Sequence, residues 1–140
     1  MSEQNKKVVL EFIDAMGKGD KARFAACLTA DATAHAKGFA KISGRREYDM
    51  MVGSVEAFKE LWVGGLRADF KTVTAEDDRV VVEFEGHSKL PNGTPYNNQY
   101  VMVFTMKGGK IKNVNEYFCT VLADQVMFPA LVERGLIPKQ

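Results

Sequence analysis

The residue of this chain best suited to chemistry is Glu116. It follows a Gly-Gly turn and lies in a segment whose apolar residues alternate around it: Ile111, Val114 and Phe118. This pattern is typical of a strand with one buried face, where a carboxylate is unusual unless it has a partner or a task. Glu116 is therefore the first candidate for a catalytic residue.

Two histidines are further acid–base candidates. The pKa of histidine suits proton transfer near neutral pH, and His35 lies within a short stretch, 32–36, that predicts a strand. His87 alternates with Glu83 and Glu85, which indicates a water-facing side or a subunit contact rather than catalysis.

Metal and cofactor chemistry finds little support in the sequence. No set of His, Asp and Glu residues has the spacing of metal ligands, and no Gly-rich loop follows a strand to hold phosphate. Cys27 and Cys119 stand alone without a CxxC motif, so we expect two reduced thiols packed as small apolar groups. We expect neither a metal nor a cofactor, and we interpret Asp14, Arg45 and Arg46 as surface charges.

Length and charge set the class of protein. A chain of 140 residues is the usual size of one domain, which we assign to residues 1–140 with a core over 1–121 and a tail over 122–140. The 19 basic and 18 acidic residues are spread along the chain, which argues against nucleic-acid binding. No apolar run reaches the roughly 20 residues of a membrane helix and no signal-peptide core follows the polar start, so we expect a soluble, cytoplasmic protein.

The order of predicted elements is typical of an α+β fold. Helical periodicity predicts helices over 2–16, 20–28 and 54–62, with a short strand over 32–36. Four antiparallel strands should then occupy 66–75, 80–89 and both arms of a hairpin over 96–120. We predict a cone-shaped, curved antiparallel sheet with about three helices over its concave face and a cavity at the open end. The apolar tail must cover either the mouth of this cavity or a second subunit.

The same order of segments resembles the SnoaL-like and ketosteroid isomerase-like proteins of the nuclear transport factor 2-like superfamily. The resemblance runs from Val8 to about Val121. It rests on FIDAMGKGD at 12–20, DATAH at 31–35, GKI at 109–111 and EYF at 116–118. The stretch GTPYNN at 93–98, with Tyr100, is most similar to bacterial proteins described as ketosteroid isomerase-related.

The resemblance also excludes two activities of the group. Ketosteroid isomerases use a carboxylate base, a tyrosine hydroxyl and a protonated aspartic acid. The resemblance places those positions at Ala36, Phe12 and Met102, which lack all three groups. The epoxide hydrolases need an Arg and an Asp two residues apart on the preceding strand, where this chain has Asn98, Tyr100 and Met102.

The resemblance implies a cavity around Glu116, at a position where SnoaL-like cyclases carry an acidic residue. If Met102 faces this cavity, as the resemblance implies, the two-residue period of a strand places Asn98 and Tyr100 on the same face. Burial should raise the pKa of Glu116, and Tyr100, Asn98 and His35 would polarise a substrate carbonyl or relay protons. The expected apolar walls are Phe12, Phe58, Trp62, Met102, Phe104, Val114 and Phe118.

These observations predict a cofactor-independent pocket enzyme that transfers a proton on a hydrophobic carbonyl compound, by isomerisation, dehydration or cyclisation. Two alternatives stay open at this point. The chain is either a non-catalytic binder of an apolar ligand or a dimeric interaction module. A homodimer is expected in either case, and no nucleic-acid or membrane partner is expected.

Overall fold

The computed structural model describes residues 2–137, so Met1 and residues 138–140 of the predicted domain and tail lie outside the described residues. The chain begins with helices α1, Ser2–Lys18, and α2, Lys21–Ala26. Strands β1, Leu28–Ala36, and β2, Gly44–Glu47, precede helix α3, Tyr48–Leu61. Strands β3 to β6 follow as Arg67–Glu76, Arg79–His87, Gln99–Lys107 and Lys110–Phe118. The tail consists of α4, Thr120–Leu122, a π-helical turn, Ala123–Met127, and α5, Phe128–Glu133.

The strands form one six-stranded sheet in the order β2-β1-β6-β5-β4-β3. Neighbours pair antiparallel except β1 and β6, which are parallel. The hairpins predicted around the Pro91-Asn92-Gly93 and Gly108-Gly109 turns are both present. The sheet is therefore mixed at one pairing, although the predicted α+β class and curved sheet are confirmed.

The concave face of the sheet packs against the helices because one face of each central strand is apolar. Strand β4 buries Val80, Val82 and Phe84, while β5 buries Met102 and Phe104 on the same side. The stripe of α1 that faces them includes Val9, Phe12, Ile13 and Met16. Helix and sheet thus form one apolar core that continues under α3.

Local sequence signals explain how the first two helices are separated. Gly19 adopts a positive φ of 69°, which glycine reaches without steric cost, and this turn ends α1. Asp20 then caps α2, since its side chain accepts a hydrogen bond from the backbone N–H of Arg23 at 3.2 Å. Arg23 is also fastened to Asp14, with Nη2 2.8 Å from Oδ2, so Asp14 joins the two helices rather than standing free.

The largest differences from the sequence prediction concern β2, α3 and β1. Strand β2 was not predicted, because its four residues, Gly-Arg-Arg-Glu, have no apolar pattern. It begins at the end of the segment that the sequence indicates to be a loop. Helix α3 begins at Tyr48 rather than near Ser54, and β1 begins at Leu28 rather than Ala32.

Within residues 2–137, no helix combines the length and apolar character needed to cross a membrane.

Candidate functional site

A cavity of about 470 Å³ lies between the concave face of the sheet, the helices and the tail. Its walls are mostly apolar, and only three of its lining residues within 2–137 have polar side chains: Arg46, Ser54 and Glu116. The apolar lining residues come from α1, α2, β1, the loop before β2, α3, β6 and the tail: Phe12, Met16, Phe24, Ala34, Ala36, Ile42, Met50, Met51, Ala57, Phe58, Phe118, Met127, Leu131, Leu136 and Ile137.

Glu116 lines this cavity from strand β6. In the sheet register it lies between Ala36 of β1 and Met102 of β5, so the three residues form one row across three strands. Ala36 and Met102 are both buried, while Glu116 is half-buried and lines the cavity. Burial raises the pKa of Glu116, and the positive charge of Arg46 opposes that rise.

The carboxyl group of Glu116 has no hydrogen-bond partner within residues 2–137, whereas its backbone carbonyl accepts a bond from the N–H of Lys37 at 2.8 Å. A carboxyl that is desolvated yet unpaired is able to donate or accept a proton toward a ligand. The predicted placement of Glu116 at the cavity therefore agrees with the geometry of the site.

Arg46 is the second charged residue of the cavity, which corrects its interpretation as a surface charge. It lies on β2 opposite Ala34 of β1, and Ala34 also lines the cavity. Its Nη2 donates to the carbonyl of Ile42 at 2.7 Å and its Nη1 to the carbonyl of Gly44 at 3.2 Å. Arg45, the next residue toward the N-terminus, is exposed and paired with Glu47 at 3.0 Å.

The predicted apolar walls divide into two groups. Phe12, Phe58 and Phe118 line the cavity, while Met102, Phe104 and Val114 are buried in the core behind its surface. Trp62 is also buried outside the lining, with its ring stacked on that of Phe58 at 4.4 Å between centroids. These four residues thus support the walls rather than form them.

Asn98 fastens two segments together and does not line the cavity. Its Nδ2 donates to the hydroxyl of Tyr96 at 2.9 Å and to the carbonyl of Cys119 at 3.1 Å. Its Oδ1 accepts from the backbone N–H groups of Gln99 at 2.7 Å and Cys119 at 3.1 Å. Both donors and both acceptor sites of the amide are occupied, so no capacity is left for a substrate carbonyl. The expected polarising role of Asn98 therefore lacks geometric support.

Tyr100 also lies away from the cavity, at the neighbouring end of β5. Its ring stacks on Phe84 at 4.8 Å between centroids and covers Gly86, where an added Cβ would come within 2.8 Å of the ring. Burial, followed by the nearby Tyr96 and Glu116, holds the pKa of Tyr100 well above its usual value. Tyr100 is not among the described residues that line the cavity, so its predicted polarising role lacks geometric support.

His35 lies on the opposite face of the sheet. Its neighbours Ala34 and Ala36 both line the cavity, and side chains alternate along a strand. In the register His35 is opposite Arg45 and Asn115, which share the outer face. The side chain of His35 therefore points away from the cavity, and its predicted relay role lacks geometric support.

The side chains of Asp69, Glu85 and His87 meet on that outer face, with potential ligand atoms within 4.8 Å of one another. Their spacing escaped the sequence prediction because they come from two paired strands. The ammonium of Lys71 lies 2.8 Å from Asp69 and 3.9 Å from Glu85, so it already supplies a positive charge there. The cluster is separate from the cavity.

The tail closes one side of the cavity. Met127, Leu131, Leu136 and Ile137 all belong to the lining, which places the described part of the tail over the mouth of the fold. The tail is held there by the backbone N–H of Lys41, which donates to Asp124 at 2.8 Å, and by the Lys41 ammonium 5.0 Å from the Phe128 ring centre. Its apolar residues were the only sequence signal for this contact.

Comparison with known proteins identifies the fold and the family. Residues 9–114 match the model of the SnoaL-like domain. A solved structure of PrhC from Penicillium brasilianum is similar with a TM-score of 0.80 at 13% identity, covering 96% of this chain and 91% of that one. An LEH-like epoxide hydrolase from M. tuberculosis has a TM-score of 0.73 at 17% identity, with 96% and 97% covered.

A putative isomerase from Bacillus subtilis is similar in fold too, with a TM-score of 0.74 at 16% identity and coverage of 90% and 94%. At these identities the likeness shows the fold alone. No curated protein matches the chain.

Proposed function

This chain belongs to the SnoaL-like domain family, and we propose that it is a cofactor-independent enzyme that transfers a proton on a hydrophobic, carbonyl-bearing small molecule. One observation carries the proposal. The Glu116 carboxyl faces an apolar cavity of about 470 Å³ and has no hydrogen-bond partner within residues 2–137. A raised pKa brings such a group toward the range in which it both gives and takes protons.

In the proposed reaction, ionised Glu116 removes a proton from the carbon next to the substrate carbonyl. The C–H electron pair moves into the enolate, and the proton forms an O–H bond on the carboxyl. Returning that proton to a different carbon completes an isomerisation. Donating it to a leaving hydroxyl, which departs as water, completes a dehydration. In a cyclisation the enolate attacks a second carbonyl, and the alkoxide that forms takes the proton back from Glu116.

The apolar walls support this chemistry in two ways. Phe12, Phe58 and Phe118 provide flat apolar surface for a hydrophobic substrate, and the tail excludes water from one side. In such surroundings, the proton held by the carboxyl exchanges less with solvent and is more often returned to the substrate.

A non-catalytic binder is the second candidate, and a specific observation favours it. The amide of Asn98 is fully hydrogen-bonded elsewhere and Tyr100 is not in the lining, so the cavity wall within residues 2–137 has no neutral amide or phenol beside Glu116 to stabilise an enolate. Formation of a homodimer and location in the cytoplasm stay predictions.

The deciding experiment starts with the ligand that copurifies with the protein, identified by mass. The identified carbonyl compound is then incubated in D₂O with the wild-type protein and with two variants, Glu116→Gln and Glu76→Gln. Glu76→Gln is the control, because it makes the same change at an exposed glutamate. The proposal predicts deuterium uptake or product with the wild type and Glu76→Gln, and at least a hundredfold less with Glu116→Gln. Equal rates for all three would remove Glu116 from the mechanism, and binding without turnover would favour the binder.

A further inference from the structure

The guanidinium group of Arg46 has a position in the cavity that the proposed proton transfer does not use. Its hydrogen bonds to Ile42 and Gly44 occupy two of its five N–H groups and fix its orientation. Within residues 2–137 it forms no ion pair, unlike its neighbour Arg45, which is paired with Glu47. A charged group in a largely apolar wall normally needs an opposite charge, because desolvation is costly.

Glu116, the carboxylate on the described cavity wall, forms no salt bridge with Arg46, although the two charges interact at longer range. Glu116 lies two strands from Arg46 and is displaced along the strands, since Arg46 is opposite Ala34 while Glu116 is opposite Ala36. Strand spacing of about 4.8 Å and a two-residue offset of about 7 Å separate their Cα atoms by roughly 12 Å. No salt bridge joins them, and the two alanines leave an open floor between the charges.

From this arrangement we infer that Arg46 binds the anionic group of the ligand, a carboxylate, while the apolar body of the ligand lies over Ala34 and Ala36 toward Glu116. A guanidinium group matches a carboxylate in shape and charge, and its orientation by backbone carbonyls reduces the cost of binding. The substrate is thus an amphipathic acid rather than a neutral hydrocarbon-like carbonyl compound. This inference rests on the proposed function only in requiring that the cavity holds the substrate.

The alternative is a purely structural Arg46 that fastens the segment before β2 through Ile42 and Gly44. In that case its removal would disturb ligands with and without charge alike. A pair of probes of the same size but different charge separates the two roles. Decanoate and decanamide meet this requirement, because the carboxylate and the amide are nearly isosteric and the chain is the same.

The test measures binding of both probes by calorimetry at pH 8 and low salt, for the wild type and the Arg46→Met and Arg45→Met variants. Arg45→Met is the matched control, since it removes the neighbouring arginine from the outer face. We expect the wild type to bind decanoate about tenfold or more tighter than decanamide. Arg46→Met should abolish this preference and leave decanamide binding within about twofold, while Arg45→Met should preserve both affinities.

An Arg46→Met protein that loses both probes equally, or a wild type without preference for decanoate, would overturn the inference. If Arg46→Met fails to fold, Arg46→Lys takes its place in the test. Arg46→Lys keeps the charge but not the planar guanidinium group, so it should retain part of the preference for decanoate. The acid–base role of Glu116 is read from deuterium uptake in D₂O and not from binding of the two probes. Failure of the anion site and failure of the acid–base role are thus read in separate measurements.

Discussion

Replacing Asn98 by alanine should destabilise the protein strongly, because this side chain is structural. It is 1% exposed and makes four hydrogen bonds, two to Cys119 and one each to Tyr96 and Gln99. A hydrogen bond of this kind contributes about 0.5 to 1.5 kcal/mol net, and buried groups left unpaired add to the loss. We therefore expect the free energy of unfolding to fall by about 3 to 5 kcal/mol.

Urea denaturation followed by circular dichroism measures this loss directly. Asn92→Ala is the matched control. Asn92 lies in the exposed turn between β4 and β5, and it accepts one hydrogen bond, from the N–H of Thr94 at 2.9 Å. That variant should lose no more than about 1.5 kcal/mol. A loss below about 1 kcal/mol for Asn98→Ala would contradict the structural role of Asn98 and would leave its amide available to a ligand.

Three further predictions concern the cavity. The folded-state pKa of Glu116 is raised above its ordinary value of 4.5, so the native state binds more protons than the unfolded chain above that pH. Wild-type stability should fall relative to Glu116→Gln as pH rises through this window, by at most about 1.4 kcal/mol per pH unit, and parallel urea-denaturation profiles would contradict it. Leu131→Asp should weaken decanamide binding about tenfold in calorimetry, and unchanged affinity would show that the tail is not a wall. No saturable isomerisation of a 3-oxo-Δ5 steroid is expected in an absorbance assay of the enone, because Ala36 replaces the carboxylate base.

The sequence was sufficient to predict the α+β fold and the presence of Glu116 in the cavity wall. Strand periodicity fixed the inner face of β6, so Glu116 and Phe118 could be assigned together. Helical periodicity likewise placed Phe12 and Phe58 on the faces that meet the sheet. These patterns are local, and each spans enough residues to identify one face.

The rest of the site depends on contacts between distant segments. Asn98 comes just before β5, which begins at Gln99, so the alternation of side chains along the strand does not extend to it. Its partner Cys119 follows the end of β6 and is far from it in sequence. Arg46 belongs to a strand of four residues in which Arg45 has the same chemistry and the opposite face. Only pairing with β1 distinguishes the two arginines, and that pairing has no local sequence signal.

The central claim is that Glu116 is an acid–base group held in an apolar cavity. A ¹³C NMR titration of the glutamate carboxyl groups, with the Glu116 resonance assigned by its absence in Glu116→Gln, tests this claim most directly. The account predicts a pKa above 4.5, and a further rise in Arg46→Met because the opposing positive charge is gone. A Glu116 pKa at or below 4.5 would show a solvated or ion-paired carboxylate and would contradict the account.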